Sequence, residues 1–240
     1  MTEEGKQLLL RASREVGINL EPYLPHFAYF FERLTSANES LNLTAIRDER
    51  GVLLKHFADS LTCLTYDGFV DGISVIDVGT GAGFPGLPLA IVRPKIQFDL
   101  LDATQKKIDF VDSVIQGLGL PNAKVLWGRS EELSHQIVKR ETYGAAVARA
   151  VASVQVLAEL TLPLVKLGGF VLIQKGAEVQ GELEAAKGAL EKLGGSLKRI
   201  MRLELPILGD TRNLVIIEKT SPTPAHYPRR TGVPAKNPLS

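Results

Sequence analysis

Apolar residues follow two different periods along the chain. Spacing is helical up to about Asp67, and from Ile73 onward short strand-like runs alternate with helical ones. In the first part Phe27, Phe30, Phe31, Leu34 and Leu41 recur at helical intervals, which predicts a helix with one buried face. Asn42-Leu43-Thr44-Ala45-Ile46 interrupts the pattern, and a second helical run passes through Val52, Leu53, His56, Phe57, Ser60, Leu61 and Leu64. His56 and Asp59 lie three apart on that run, close enough to interact, and read as a structural pair. With no strand pattern in it, the segment 1–67 reads as an N-terminal helical cap.

The second part opens on Val75, Ile76 and Val78, an apolar run around Asp77 of the kind that forms a parallel strand buried on both faces. Gly79, Gly81, Gly83 and Gly86 follow, where φ > 0 and close backbone approach are permitted. Pro85 suits the first turn of a helix over Leu87 to Val92. Further strands are predicted at Ile96–Leu101, Lys124–Trp127, Ala145–Ala148 and Phe170–Ile173. Helices at Lys106–Leu118 and Val154–Val165, and a turn at Gly168-Gly169, connect them. A charged helix over Glu178–Leu193 precedes strands Leu197–Leu208 and Leu214–Glu218, joined through Gly209 and Asp210. Helical crossovers followed by one hairpin predict an α/β, Rossmann-like domain over 68–220, with a mostly parallel seven-stranded sheet and an antiparallel edge. In 221–240, Pro222, Pro224, Pro228, Pro234 and Pro238 argue against regular structure, and Arg229, Arg230 and Lys236 lack acidic neighbours. That tail reads as a solvated end or as an arm for phosphates.

Composition narrows the partners. At 45% apolar and 23% charged residues the chain is an ordinary globular protein, and its net charge of +1 confines any nucleic-acid contact to local basic patches. A single cysteine, Cys63, excludes an internal disulfide and any multi-cysteine metal site. No signal segment and no apolar span long enough for a bilayer are present, so a cytoplasmic protein without membrane contact is expected.

The glycine loop selects among nucleotide-like ligands. No Lys-Ser/Thr pair closes it as in a P-loop, and Gly79-Thr80-Gly81-Ala82-Gly83 departs from the dinucleotide pattern G-x-G-x-x-G. Asp77 would repel a pyrophosphate but suits the cationic α-ammonium of S-adenosylmethionine. Asp102, ending the second strand, is placed to accept from ribose hydroxyls, and Ser130 and Glu131, after the third, to meet an adenine edge. After the fourth strand the chain reads Ala148-Arg149-Ala150, without the Pro-Pro-aromatic turn typical of amino-group methylation. Cys63, the one possible nucleophile for C5-pyrimidine chemistry, lies on a cap helix and reads as a buried small hydrophobe. A lone-pair acceptor such as a purine ring nitrogen needs neither device, only in-line positioning.

Asn42-Leu43-Thr44-Ala45-Ile46, Lys55-His56-Phe57-Ala58-Asp59-Ser60-Leu61 and Asp77-Val78-Gly79-Thr80-Gly81-Ala82-Gly83-Phe84-Pro85-Gly86 resemble the 16S ribosomal RNA guanine-N7 methyltransferase G family, earlier named glucose-inhibited division protein B. Ala148-Arg149-Ala150 and Tyr227-Pro228-Arg229-Arg230-Thr231-Gly232-Val233-Pro234 extend the resemblance over nearly the whole chain. It implies a Rossmann-like, S-adenosylmethionine-dependent enzyme that methylates N7 of one guanine in 16S ribosomal RNA, as free RNA, assembly intermediate or small subunit. Carried over by position, cofactor contacts fall on Gly79, Phe84, Asp102, Ala103, Thr104, Ser130, Glu131 and Arg149, beside Asp77 and Gly81 from the loop chemistry. Many members have Ala-Glu where Ser130-Glu131 stands here. No protein nucleophile, acid–base residue or metal is expected, and the protein is taken as a monomer. Lys106, Lys107, Lys175, Arg229 and Arg230 are the candidate RNA contacts. The rival readings are a methyltransferase acting on a protein or small molecule, and a cofactor-binding regulator without catalysis.

Overall fold

In the computed structural model, which describes residues 1–149 and 152–240, seven strands form one sheet in the order β3-β2-β1-β4-β5-β7-β6. The strands are β1 (Ser74–Val78), β2 (Gln97–Asp102), β3 (Ala123–Trp127), β4 (Tyr143–Arg149), β5 (Val165–Lys175), β6 (Gly195–Glu204) and β7 (Thr211–Lys219). β1 to β5 pair in parallel, and β7 runs antiparallel to both β5 and β6. The mostly parallel sheet with one antiparallel edge is as expected.

Alternation along β1 shows how the layers are sorted. Val75 faces one apolar cluster, and Ile76 and Val78 face the other. The first cluster joins the sheet to α5 (Gly86–Val92), α6 (Gln105–Leu118) and the helical cap. The second is covered by α8 (Val154–Thr161) and α9 (Gln180–Leu193). Because Phe27, Phe30 and Phe57 share one cluster with Phe98 and Leu100, the cap is built into the core of the sheet domain.

The cap comprises α1 (Glu3–Glu15), α2 (Leu24–Leu41), α3 (Glu49–Val52), a π-helical stretch Leu53–Ala58 and α4 (Asp59–Leu61). The aromatic stripe predicted on α2 is buried at Phe27, Phe30, Phe31 and Leu34. α2 stops at Asn42, whose φ of 51° turns the chain into the left-handed region. Asn38 then grips the main chain of Thr44 at both ends, its Oδ1 accepting from the amide at 2.9 Å and its Nδ2 donating to the carbonyl at 3.0 Å.

Four expectations need correction. Gly168 and Gly169 lie inside β5 rather than between a helix and a strand. Gly169 packs so close to β4 that a Cβ there would sit 2.6 Å from the Gly144 carbonyl oxygen. The preceding helix accordingly ends at Thr161, with a 3-10 turn to Leu164, instead of reaching Val165. Strand β6 ends at Glu204, not Leu208, because the Leu205 amide donates to Asp210 and closes the turn early. The tail holds regular structure, α10 (Val233–Lys236), and it is docked, with the Arg140 guanidinium donating to the carbonyls of Thr223 and Tyr227. Of the Ala148-Arg149-Ala150 motif, Ala150 lies outside the described residues, as does Val151.

Candidate functional site

The C-terminal ends of β1, β2, β3 and β4 converge where the strand order reverses, the place at which open α/β sheets bind ligands. Gly79, Gly81 and Gly83 take φ of 76°, 61° and 98°, which lets the loop after β1 turn back over the strand ends. Beneath it Asp77 is fully buried, its Oδ2 accepting from Thr80 Oγ1 at 2.7 Å and from the Gly86 amide at 2.8 Å. A Cβ on residue 86 would lie 2.7 Å from that oxygen, so glycine is what allows the contact. The second oxygen, Oδ1, is buried with no hydrogen-bond partner among the described residues. Burial pushes the Asp77 carboxyl up to about 6, against the pull of its two hydrogen bonds.

Asp102 binds three loops into one rim. Its Oδ2 accepts from the Gly81 amide at 3.0 Å and its Oδ1 from Thr104 at 2.8 Å, while its carbonyl accepts from Gly128 at 3.1 Å. Ala103 and Trp127 meet on that rim, the indole Nε1 donating to the Ala103 carbonyl at 3.2 Å. Trp127 is 66% exposed, a large flat surface beside Ala103 that sequence reading passed over as the end of a short strand.

Ser130 and Glu131 start α7 (Ser130–Leu133), but both side chains face away from the loops. The Ser130 hydroxyl donates to the Leu160 carbonyl, and Glu131 Oε1 accepts from the Gly232 amide at 3.0 Å.

Arg149, leaving β4, stands at the centre of a polar network reaching into the cap. Its side chain is 13% exposed, with Nη2 3.2 Å from His56 Nδ1 and Nη1 donating to the Lys55 carbonyl at 3.3 Å. Asp59 Oδ2 lies 3.5 Å from the same guanidinium, and Asp59 Oδ1 accepts from Arg212 Nε at 3.0 Å. A guanidinium only donates, so His56 Nδ1 must be the acceptor and His56 Nε2 the N–H, which donates to Thr44 Oγ1 at 2.7 Å. Burial, reinforced by the Arg149 charge, holds His56 down at about 3, so the ring is neutral throughout the physiological range. The His56 ring stacks on Phe84 at 4.6 Å, and Phe84 stacks in turn near Phe30 at 5.2 Å. The Arg149 guanidinium lies 5.1 Å from the Phe84 ring centre. His56 and Asp59, expected to pair with each other, are joined instead through Arg149, in a network that includes Thr44 and Arg212, two residues to which no role had been given. Arg212 comes from the closing hairpin and Asp59 from the cap, and no local spacing connects them.

The five cations expected to meet RNA fare unequally. Lys106 donates to the Leu41 carbonyl at 2.9 Å, and Lys107 lies 4.0 Å from Asp102. Lys175 is paired with Glu182 at 2.8 Å and donates to the Ala152 carbonyl. Arg229 grips the fully buried Glu159 through Nε and Nη2, the latter at 2.7 Å. Arg230 has no ion-pair partner among the described residues.

The model of the family "rRNA small subunit methyltransferase G" matches residues 24–215. A protein of that name from Deinococcus deserti is 45% identical over 240 residues, covering 100% of this chain and 98% of its own. One from Pelotomaculum thermopropionicum is 46% identical over 234 residues, covering 97% and 98%. Among solved structures, a SAM-dependent methyltransferase from Aquifex aeolicus aligns with a TM-score of 0.51 at 20% identity, over 70% of this chain and 92% of its own. TrmN from Thermus thermophilus aligns with a TM-score of 0.52 at 18% identity, over 70% and 53%. Those two likenesses speak for the fold.

Proposed function

Because the chain belongs to the rRNA small subunit methyltransferase G family, we propose that it transfers a methyl group from S-adenosylmethionine to N7 of a guanine in 16S ribosomal RNA. The observation that carries the donor assignment is Asp77 Oδ1, a buried carboxylate oxygen beneath a glycine loop with no hydrogen-bond partner among the described residues. Such an oxygen suits a cationic ammonium, and Asp102 on the adjoining rim suits ribose hydroxyls through its remaining lone pairs. Main-chain groups of Gly79, Gly81, Ala103, Thr104, Ser130 and Glu131 would complete the donor's surroundings.

S-adenosylmethionine supplies a methyl group on a positively charged sulfur, so the N7–CH₃ bond forms as the S–CH₃ bond breaks and the neutral thioether leaves. N7 carries no proton, and the chain needs no general base for this step. Its task is to align acceptor and donor and to exclude water, which is where most of such a rate gain arises. Phe84 offers an aromatic edge of the loop held between Phe30 and His56. Arg149 acts as a positioning residue. Its charge is opposed by Asp59 and its guanidinium lies over the Phe84 ring, so it steadies the loop without setting an unopposed cation against a base that becomes positive.

The acceptor is the small subunit, its precursor or its naked RNA, met by a cytoplasmic monomer. Methyl-tritiated S-adenosylmethionine offered with RNA or subunits lacking the modification tests this reading. Label that ribonuclease releases as nucleotides is expected. Label that resists ribonuclease points to a protein acceptor, and tight donor binding without transfer points to a non-catalytic regulator.

A further inference from the structure

Four of the five cations expected to meet RNA are engaged within the chain, which leaves the question of what holds the phosphates. The cap supplies an answer. Beside α3 lies a cleft of about 400 Å³ lined by Ile46, Arg47, Asp48, Arg50, Lys55 and Leu208, among others. Arg47, Arg50 and Lys55 are all exposed, and none has an ion-pair partner among the described residues; Arg47 donates to the neutral Asn42 Oδ1 at 3.3 Å, which leaves its charge unopposed. Nearby acids are turned to other work. Asp48 Oδ1 accepts from the Gly51 amide at 2.7 Å as the cap of α3, and Glu49 accepts from the main chain and hydroxyl of Thr2. Three cations and one helix-capping carboxylate therefore face the same concavity.

The cleft and the site share a wall. Lys55 points outward from the π-helical stretch, whereas its own carbonyl accepts from Arg149 and the next residue, His56, stacks on Phe84. Anything bound along Arg47, Arg50 and Lys55 is thus one residue away from the mouth of the glycine loop. Cations flanking a site along a groove match the repeating charge of a polynucleotide, and phosphate contacts fix register and orientation while leaving base identity to the site.

We propose that the Arg47–Arg50–Lys55 cleft holds the phosphodiester backbone of the RNA strand that presents the target base. This rests on the reading of the chain as an RNA methyltransferase. The test compares a triple variant, R47A/R50A/K55A, with K95A/K124A/K166A, which removes equal charge near the opposite, N-terminal ends of the parallel strands. With naked 16S RNA lacking the modification as acceptor, the cap variant is expected to raise the RNA KM at least tenfold. Its slope of log affinity against log salt should fall by about 2, since each phosphate contact carries about 0.7–0.9 of slope. Its S-adenosylmethionine affinity should match the wild type, which also reports an intact fold. The charge-conserving variant R47K/R50K/K55R should retain most of the RNA affinity, and the distal variant should behave like the wild type. Equal effects of the cap and distal variants overturn the proposal, because general charge would then explain binding. A defect seen only with assembled subunits assigns the cleft to a ribosomal protein and also overturns it. A wild-type chain that modifies no RNA overturns the functional reading itself, and the proposal with it.

Discussion

Asp77 is where pH enters the chemistry of this molecule. Its carboxyl, ordinarily near 3.8, is pushed up to about 6 by burial, so the folded chain holds that proton more tightly than the unfolded one. The contribution therefore favours folding fully below the unfolded value and is lost as pH rises through about 6. Asp77→Asn should stabilise the free protein near neutral pH by about 1–3 kcal/mol in urea unfolding, with less change at pH 4. The same substitution should weaken S-adenosylmethionine binding at least about tenfold if the carboxylate faces the donor's ammonium. In the wild type, donor affinity should fall as pH drops below about 6, with proton release on binding measured by calorimetry in buffers of different ionisation enthalpy. His56 gives the contrasting case. Held at about 3 by burial and Arg149, it should leave no transition between pH 6 and 8 in the rate profile. Arg149→Ala removes one of two cations from the buried Asp59, and should cost about 2–3 kcal/mol of stability in urea unfolding, less than a wholly orphaned charge because Arg212 remains.

At the scale of elements, the cap and the glycine loop are one mechanical unit. Phe30 from α2, Phe84 from the loop and the His56 ring from the π-helical stretch stack in sequence. Donor binding that orders the loop should therefore raise amide protection in Leu53–Ala58 in hydrogen exchange, although Asp77 and the glycine loop come from another part of the chain. Protection confined to the loops after β1, β2 and β3 would show the cap to be uncoupled. The tail is a second such unit. Arg229 covers the buried Glu159, while the Gly232 amide holds Glu131 at the start of α7. Arg229→Ala should destabilise the fold by about 3 kcal/mol, the range for breaking a buried pair, and should weaken donor binding through a loosened α7. Thermal unfolding and a donor titration check both.

For the whole molecule, the periodic part of the pattern was readable because buried parallel strands and amphipathic helices have local signatures. The run around Asp77 and the stripe from Phe27 to Leu34 lie where periodicity put them, and the closing hairpin is present with its first strand ending four residues early. What was not readable depends on pairs far apart in sequence. Arg229 reads as an exposed tail cation until Glu159, inside an apolar helix, is placed beneath it. The cap acid Asp59 and the hairpin cation Arg212 meet only after the sheet has formed. The Gly168-Gly169 turn failed as a prediction because glycine there serves a close approach to β4 rather than a reversal. The proposed chemistry sends the methyl to a ring nitrogen bearing a lone pair, with the chain acting by alignment. It is tested most directly by locating the methyl atom by atom in 16S RNA modified by the purified protein, using nucleoside mass spectrometry and borohydride–aniline cleavage of the strand. A single cleavage at one guanine, with mass and retention of N7-methylguanosine, is the predicted result. Label on N1, on an exocyclic amine or on a pyrimidine carbon would contradict it.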